Sequence, residues 1–127
     1  NLKYWADQVF VGFGLAAHGM TGQRRYSNIV DLDRYLSAAA CKESTIGSLT
    51  AMDPLTRFKD AMIMGLRLTQ GLDLGVMGSR YGFDAYKFVK NTLIDLDNSE
   101  LYIMDGNTIK LTARGRLLSN VIFGRFV

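Results

Sequence analysis

Two short runs of strand-forming residues, Leu101-Tyr102-Ile103-Met104 and Thr108-Ile109-Lys110-Leu111, flank the pair Asp105-Gly106. Asp-Gly between such runs is among the strongest hairpin signals, because tight hairpin turns need backbone with positive φ. A lone hairpin is marginal in water, so other elements must cover one of its faces. The flanking sequence supplies helices. Asp53-Pro54 reads as an N-cap followed by proline at the first helical position, where a missing N–H costs nothing. Leu55, Phe58, Met62 and Leu66 then fall on one stripe, and Gln70-Gly71 marks the end. Gly65 inside this helix is a position for a close packing neighbour. A short helix over residues 76–81 stops at Gly82. Asp84 caps another, whose Ala85, Phe88, Val89, Leu93 and Leu96 share a face, and Thr112 caps a final helix to Phe126.

Three helices, a hairpin and a closing helix over residues 53–127 describe a winged-helix-like arrangement. That topology often binds DNA, but topology does not assign function. Residues 84–100, the segment that would enter a groove, set Lys87 and Lys90 against Asp84, Asp95, Asp97 and Glu100, and the hairpin tip carries Asp105. Such a surface repels phosphates. Tyr86, Lys87, Lys90 and Asn91 share an outward face, and Arg114, Arg116 and Arg125 make the last helix basic. A nucleic-acid-binding or protein-interaction module is therefore the alternative reading, and a packing domain with no nucleic-acid partner the preferred one.

The first half reads differently. A β-rich run, Val9-Phe10-Val11, leads into Gly12-Phe13-Gly14, and small residues follow as far as His18, the single histidine. Glycines just beyond a strand end let a backbone turn tightly or let a ligand approach, and in parallel α/β sheets and barrels that is where ligands sit. Residues 12–17 formally match the dinucleotide fingerprint G-x-G-x-x-[GA], but Gly19 and Gly22 interrupt the helix which that motif must open, so a Rossmann site is rejected. His18 reads either as a histidine hydrogen-bonded at a loop edge or as a ligand contact. Residues 21–27 read as a polar loop whose Arg24 and Arg25 are either solvated or a clamp for carboxylate or phosphate. A helix fits residues 31–40, with Leu32, Tyr35, Leu36 and Ala39 on one face, and residues 42–52 read as a linker.

With 127 residues, 48% of them hydrophobic, the chain can bury a core of ordinary domain size. A formal net charge of +3 falls short of the concentrated basic surface typical of nucleic-acid binding. One cysteine, Cys41, excludes an internal disulfide and, with one histidine, excludes a structural zinc site or a self-contained iron–sulfur cluster. A Cys41–His18 dyad carries little weight, because Cys41 follows an alanine run on a helix, where a free cysteine is usually a small hydrophobe. No apolar run reaches the roughly 20 residues of a membrane span and nothing resembles a signal peptide, so a cytoplasmic location is expected. The absence of an initiator methionine at Asn1 suggests the tail of a larger protein.

Several blocks together resemble the oxygen-independent coproporphyrinogen III oxidase-like radical S-adenosylmethionine proteins, including their haem-chaperone branch. They are Asn1-Leu2-Lys3-Tyr4-Trp5, Gly12-Phe13-Gly14-Leu15-Ala16-Ala17-His18, Gly65-Leu66-Arg67-Leu68 with Gly71-Leu72-Asp73-Leu74, and Leu111-Thr112-Ala113-Arg114-Gly115-Arg116-Leu117-Leu118-Ser119-Asn120. The chain departs from many relatives at Leu15-Ala16, where they have Pro-Gly, and at Gly19, where they have Ser.

The resemblance implies an α+β chain: the end of a radical SAM partial barrel over residues 1–30, a helix and linker over 31–52, and a mainly helical winged-helix-like C-terminal domain with one β-hairpin over 53–127. It implies a parent of porphyrin and haem metabolism, either a coproporphyrinogen-dehydrogenase-like oxidoreductase or a haem chaperone. That parent would use S-adenosylmethionine and a [4Fe–4S] cluster held by three cysteines upstream of this chain, which alone would not be catalytic. Its partners would be a tetrapyrrole or haem and the N-terminal radical SAM domain. Gly12, Gly14, Ala17 and His18 become candidate cofactor contacts. Asn1 and Tyr4, the remainder of an HNxxY motif, together with Arg25, become candidates for substrate or haem.

Overall fold

The computed structural model describes residues 8–127, so Asn1 and Tyr4 lie outside the described residues. It comprises two compact units, Gln8–Asp53 and Pro54–Val127.

Pro54–Val127 is built around the expected hairpin. Strands β5 (Tyr102–Asp105) and β6 (Thr108–Leu111) pair antiparallel with Asp105 opposite Thr108, so the two-residue loop is Gly106-Asn107 rather than Asp105-Gly106. Gly106 takes φ 56°, the positive value demanded by the first central position of such a turn. A third strand, β4 (Leu72–Asp73), pairs with β6 and gives the order β4-β6-β5. Two residues are too few to show a period, so the sequence reading passed over β4.

The helices follow the caps. Helix α2 (Pro54–Gly65) buries Phe58, Ala61, Met62 and Gly65, while Leu55 is exposed. It ends at Gly65 rather than Gln70, and the Leu72 side chain occupies the space a Cβ on Gly65 would need. Helix α3 (Leu74–Tyr81) is capped by Asp73, which accepts hydrogen bonds from the N–H groups of Gly75 (2.8 Å) and Val76 (3.0 Å), and stops at Gly82 with φ 81°. Asp84 caps α4 (Ala85–Thr92), and a 3-10 turn, Ile94–Leu96, replaces the expected continuation. The final helix is likewise broken, into α5 (Ala113–Leu117) and α6 (Ser119–Phe123). Phe58, Met62, Leu66, Leu74, Val89, Leu93, Ile109, Ile122 and Phe126 are completely enclosed. Phe58 makes edge-to-face contacts with Phe83 and Phe88, at ring-centroid distances of 4.8 and 5.5 Å.

Gln8–Asp53 is an antiparallel meander, β1 (His18–Thr21), β2 (Arg24–Asn28) and β3 (Ile46–Ala51), with α1 (Leu32–Ala40) between β2 and β3. Several sequence expectations are corrected here. Residues 21–27 are a hairpin rather than a loop, turning at Gly22 with φ 55°. Residues 46–51 are a strand rather than linker; all six are exposed, so backbone pairing to β2 forms the strand without any buried side chain to give an alternating pattern. Val9 and Val11 are exposed, and only Phe10 pairs, through a two-bond antiparallel bridge to Met20. The stripe that forms α1 is not buried either, since Leu32 and Leu36 are 54% and 55% exposed. Cys41 is an exposed C-cap, not a packed hydrophobe.

Candidate functional site

The glycine segment, residues 12–17, runs beside the β1–β2 hairpin and is tied to it at both ends. The Gly12 N–H donates to the Tyr26 hydroxyl (3.0 Å), and the Asn28 Nδ2 donates to the Gly14 carbonyl (2.8 Å) and, more weakly, to that of Gly12 (3.4 Å). The backbone closes the loop: Ala16 N–H donates to Ile29 O (3.0 Å), Ala17 N–H to Gly14 O (3.3 Å), and Asn28 N–H to Ala17 O (2.8 Å). Residue 18 begins a strand, not a helix, in keeping with the rejection of a dinucleotide fold.

The two glycines are required for different reasons. A Cβ on Gly12 would run into the backbone carbonyl of His18, so the missing side chain makes room for the chain itself. Gly14 has φ 102° and open space where a Cβ would stand. Ala16 adopts φ 56°, a left-handed conformation costing about 1 kcal/mol for a residue with a Cβ. Gly19 is explained by its cross-strand partner Tyr26, whose ring fills the Cβ position.

The register sorts the candidate side chains. Successive residues of a strand face opposite ways, so His18, Arg25 and Ser27 lie on one face of the sheet with Ser48 and Thr50, and Ser27 Oγ bonds Ser48 Oγ at 2.7 Å. Tyr26 and Asn28 lie on the other face. His18 and Arg25 are thus brought to one face, which also carries the buried Met20 opposite Arg25, while Gly12 leads into a turn over residues 14–17 that holds Gly14 and Ala17 beside the start of β1. The anchors Tyr26 and Asn28 escaped the sequence reading. Their signal was the i, i+2 spacing, with Tyr26 inside the stretch read as loop and Asn28 just beyond it.

The described residues hold no His/Cys/Asp/Glu cluster suited to a metal ion, and the single cysteine cannot ligate a [4Fe–4S] cluster, so such a cluster does not fit this chain. S-adenosylmethionine fits the turn better. Among the described residues the N–H groups of Gly14 and Leu15 make no hydrogen bond, and the surface over Gly14 is open. A shallow cavity of about 490 Å³, lined by Asp33, Arg34, Ser37, Cys41 and Glu43 among others, contains none of the candidate residues.

Known proteins share this fold. The profile of the HemN C-terminal domain matches residues 52–118. The chain belongs to the HemN C-terminal domain family. The haem chaperone HemW of Bacillus subtilis is 29% identical across 100% of this chain and 34% of its own length. The haem chaperones HemW of Lactococcus lactis and Mycobacterium tuberculosis are 24% and 26% identical. The solved structure of the Escherichia coli coproporphyrinogen III oxidase HemN, a radical SAM enzyme, matches 94% of this chain and 28% of that one with a TM-score of 0.73 at 23% identity. The HemN-like fold therefore extends well beyond the profile-matched residues, while the chain spans about a third of the curated relatives it matches. No described helix is long and apolar enough to cross a membrane.

Proposed function

We propose that this chain is the C-terminal part of a haem chaperone of the radical SAM class. The observation that carries the reading is its likeness, over its whole length, to the Bacillus subtilis haem chaperone; the oxidase likeness, at 23% identity, bears on the fold. In this reading the anchored turn contributes Gly12, Gly14, Ala17 and His18 to one wall of the S-adenosylmethionine site, and the sheet face with Arg25 meets a tetrapyrrole carboxylate through the planar fork of the guanidinium. Asn1 and Tyr4 belong to the same haem-directed proposal. The cluster ligands and the rest of the barrel come from polypeptide preceding this chain, against which the exposed Val9, Val11, Leu32 and Leu36 pack. Pro54–Val127 is the covering domain that keeps water from the reactive centre.

The test uses the complete polypeptide that carries this chain. Titration with haem, followed by absorbance, is expected to saturate at a defined stoichiometry, and coproporphyrinogen is expected not to be decarboxylated. Decarboxylation without haem binding reverses the assignment in favour of an oxidase. Sequence-selective DNA binding at physiological salt supports the nucleic-acid alternative instead.

A further inference from the structure

We propose that Asn28, backed by Tyr26, is the positioning residue of the 12–17 segment, holding it in the shape that meets S-adenosylmethionine; this rests on the cofactor reading above. Asn28 is the buried polar side chain of the described residues, only 5% exposed. Burial of a carboxamide is costly unless its hydrogen bonds are made, and here one nitrogen spends its two N–H groups on carbonyls two residues apart, those of Gly12 and Gly14. A serine or aspartate in the same place has no two donors to offer.

The sheet is deformed at this point. The pairing runs Ser27↔Ser48 and then Asn28↔Ile46, so Gly47 is an extra residue on β3 and forms a bulge opposite Asn28. A Cβ on Gly47 would lie 3.0 Å from Ile29 Cα, a tight contact that glycine spares as β3 passes here. Bulges bend a strand and redirect the side chains around it. The Asn28 backbone N–H holds Ala17 while its side chain holds Gly14, so a single residue fixes both ends of the strained Ala16. Strain of this kind persists only when its surroundings over-determine it. Tyr26 secures the entry to the turn through Gly12 N–H, its ring braced against Gly19. The result is a turn whose free N–H groups, at Gly14 and Leu15, are fixed in direction before any ligand arrives, which is what preorganised binding requires.

The variants are Asn28→Asp, which keeps the shape and removes both donors, and Tyr26→Phe, which removes only the hydroxyl and is the milder of the two. Both are made in the complete polypeptide and read in two ways. Amide hydrogen exchange at Ala16 and Ala17 is expected to quicken at least tenfold in Asn28→Asp, with residues 54–127 unchanged. Calorimetric titration with S-adenosylmethionine is expected to show affinity reduced roughly tenfold in Asn28→Asp and roughly threefold in Tyr26→Phe. Unchanged exchange at Ala16 and Ala17 in both variants overturns the positioning role. Faster exchange with the parent's affinity leaves Asn28 as the anchor of the turn and overturns instead the assignment of that turn to the cofactor.

Discussion

Gly115→Ala separates local propensity from tertiary contact. Gly115 lies inside α5, and in a free helix alanine there would be favoured by about 1 kcal/mol. In the folded unit the new Cβ would be driven into the carbonyl of Leu101, overlapping its oxygen and standing 2.7 Å from its carbon. That carbonyl cannot simply retreat, because it accepts from Thr112 N–H (3.0 Å), and the Thr112 hydroxyl, which donates to the neighbouring Glu100 O (2.8 Å), caps α5 by accepting from Gly115 N–H (2.9 Å). Overpacking against fixed backbone costs about 1–3 kcal/mol, and loosening the Thr112 N–H bond to Leu101 adds about 1 kcal/mol. With the propensity gain subtracted, the expected net loss is about 2 kcal/mol, a sizeable share of the roughly 5–15 kcal/mol that holds a domain together. Gly106→Ala is the internal comparison, since that Cβ meets nothing within 4 Å and only the φ of 56° opposes it, at a cost of about 1 kcal/mol. Urea unfolding followed by circular dichroism measures both, and the slope should stay constant while the midpoint moves. A Gly115→Ala protein as stable as its parent, or more stable than Gly106→Ala, refutes the reasoning.

Gly12→Ala is expected to destabilise Gln8–Asp53 by about 2 kcal/mol through collision with the His18 backbone, measured as faster amide exchange across β1 and β2; parent-like exchange would mean that the segment relaxes without cost. Tyr102 donates its hydroxyl to Asp97, and burial, this hydrogen bond and the charges of Asp97 and Asp95 raise its pKa well above the usual phenol value. A proton held more tightly in the folded state stabilises it fully below about pH 10, the unfolded value, and less as pH rises towards the folded one. Stability measured from pH 8 to 11 should therefore fall more steeply in the parent than in Tyr102→Phe, and parallel profiles would rule this linkage out.

Local chemistry wrote part of this protein directly into its residues. Asp84 and Thr112 cap helices where expected, Gly82 ends one, and a hairpin turns beside Asp105-Gly106, because each signal depends only on φ preference or on a side chain reaching a neighbouring N–H. A turn opening at Gly14 was legible for the same reason, though it runs over residues 14–17 and Gly12 precedes it. The rest depended on groups distant in sequence. Strand β3 exists because β2 offers it a backbone partner, not because its side chains alternate. The breaks at Gly65 and Leu118 cut across otherwise continuous helical patterns, and at Gly65 the Leu72 side chain takes the space a Cβ would need. The site shows the division most clearly. The sequence placed Gly12 and Gly14 in a turn, but only the approach of His18 gives Gly12 its reason, and only the bulge at Gly47 explains how a buried Asn28 comes to grip carbonyls 14 and 16 residues away. Steric exclusion and hydrogen-bond satisfaction between remote segments are properties of the packed chain, and no local pattern encodes them.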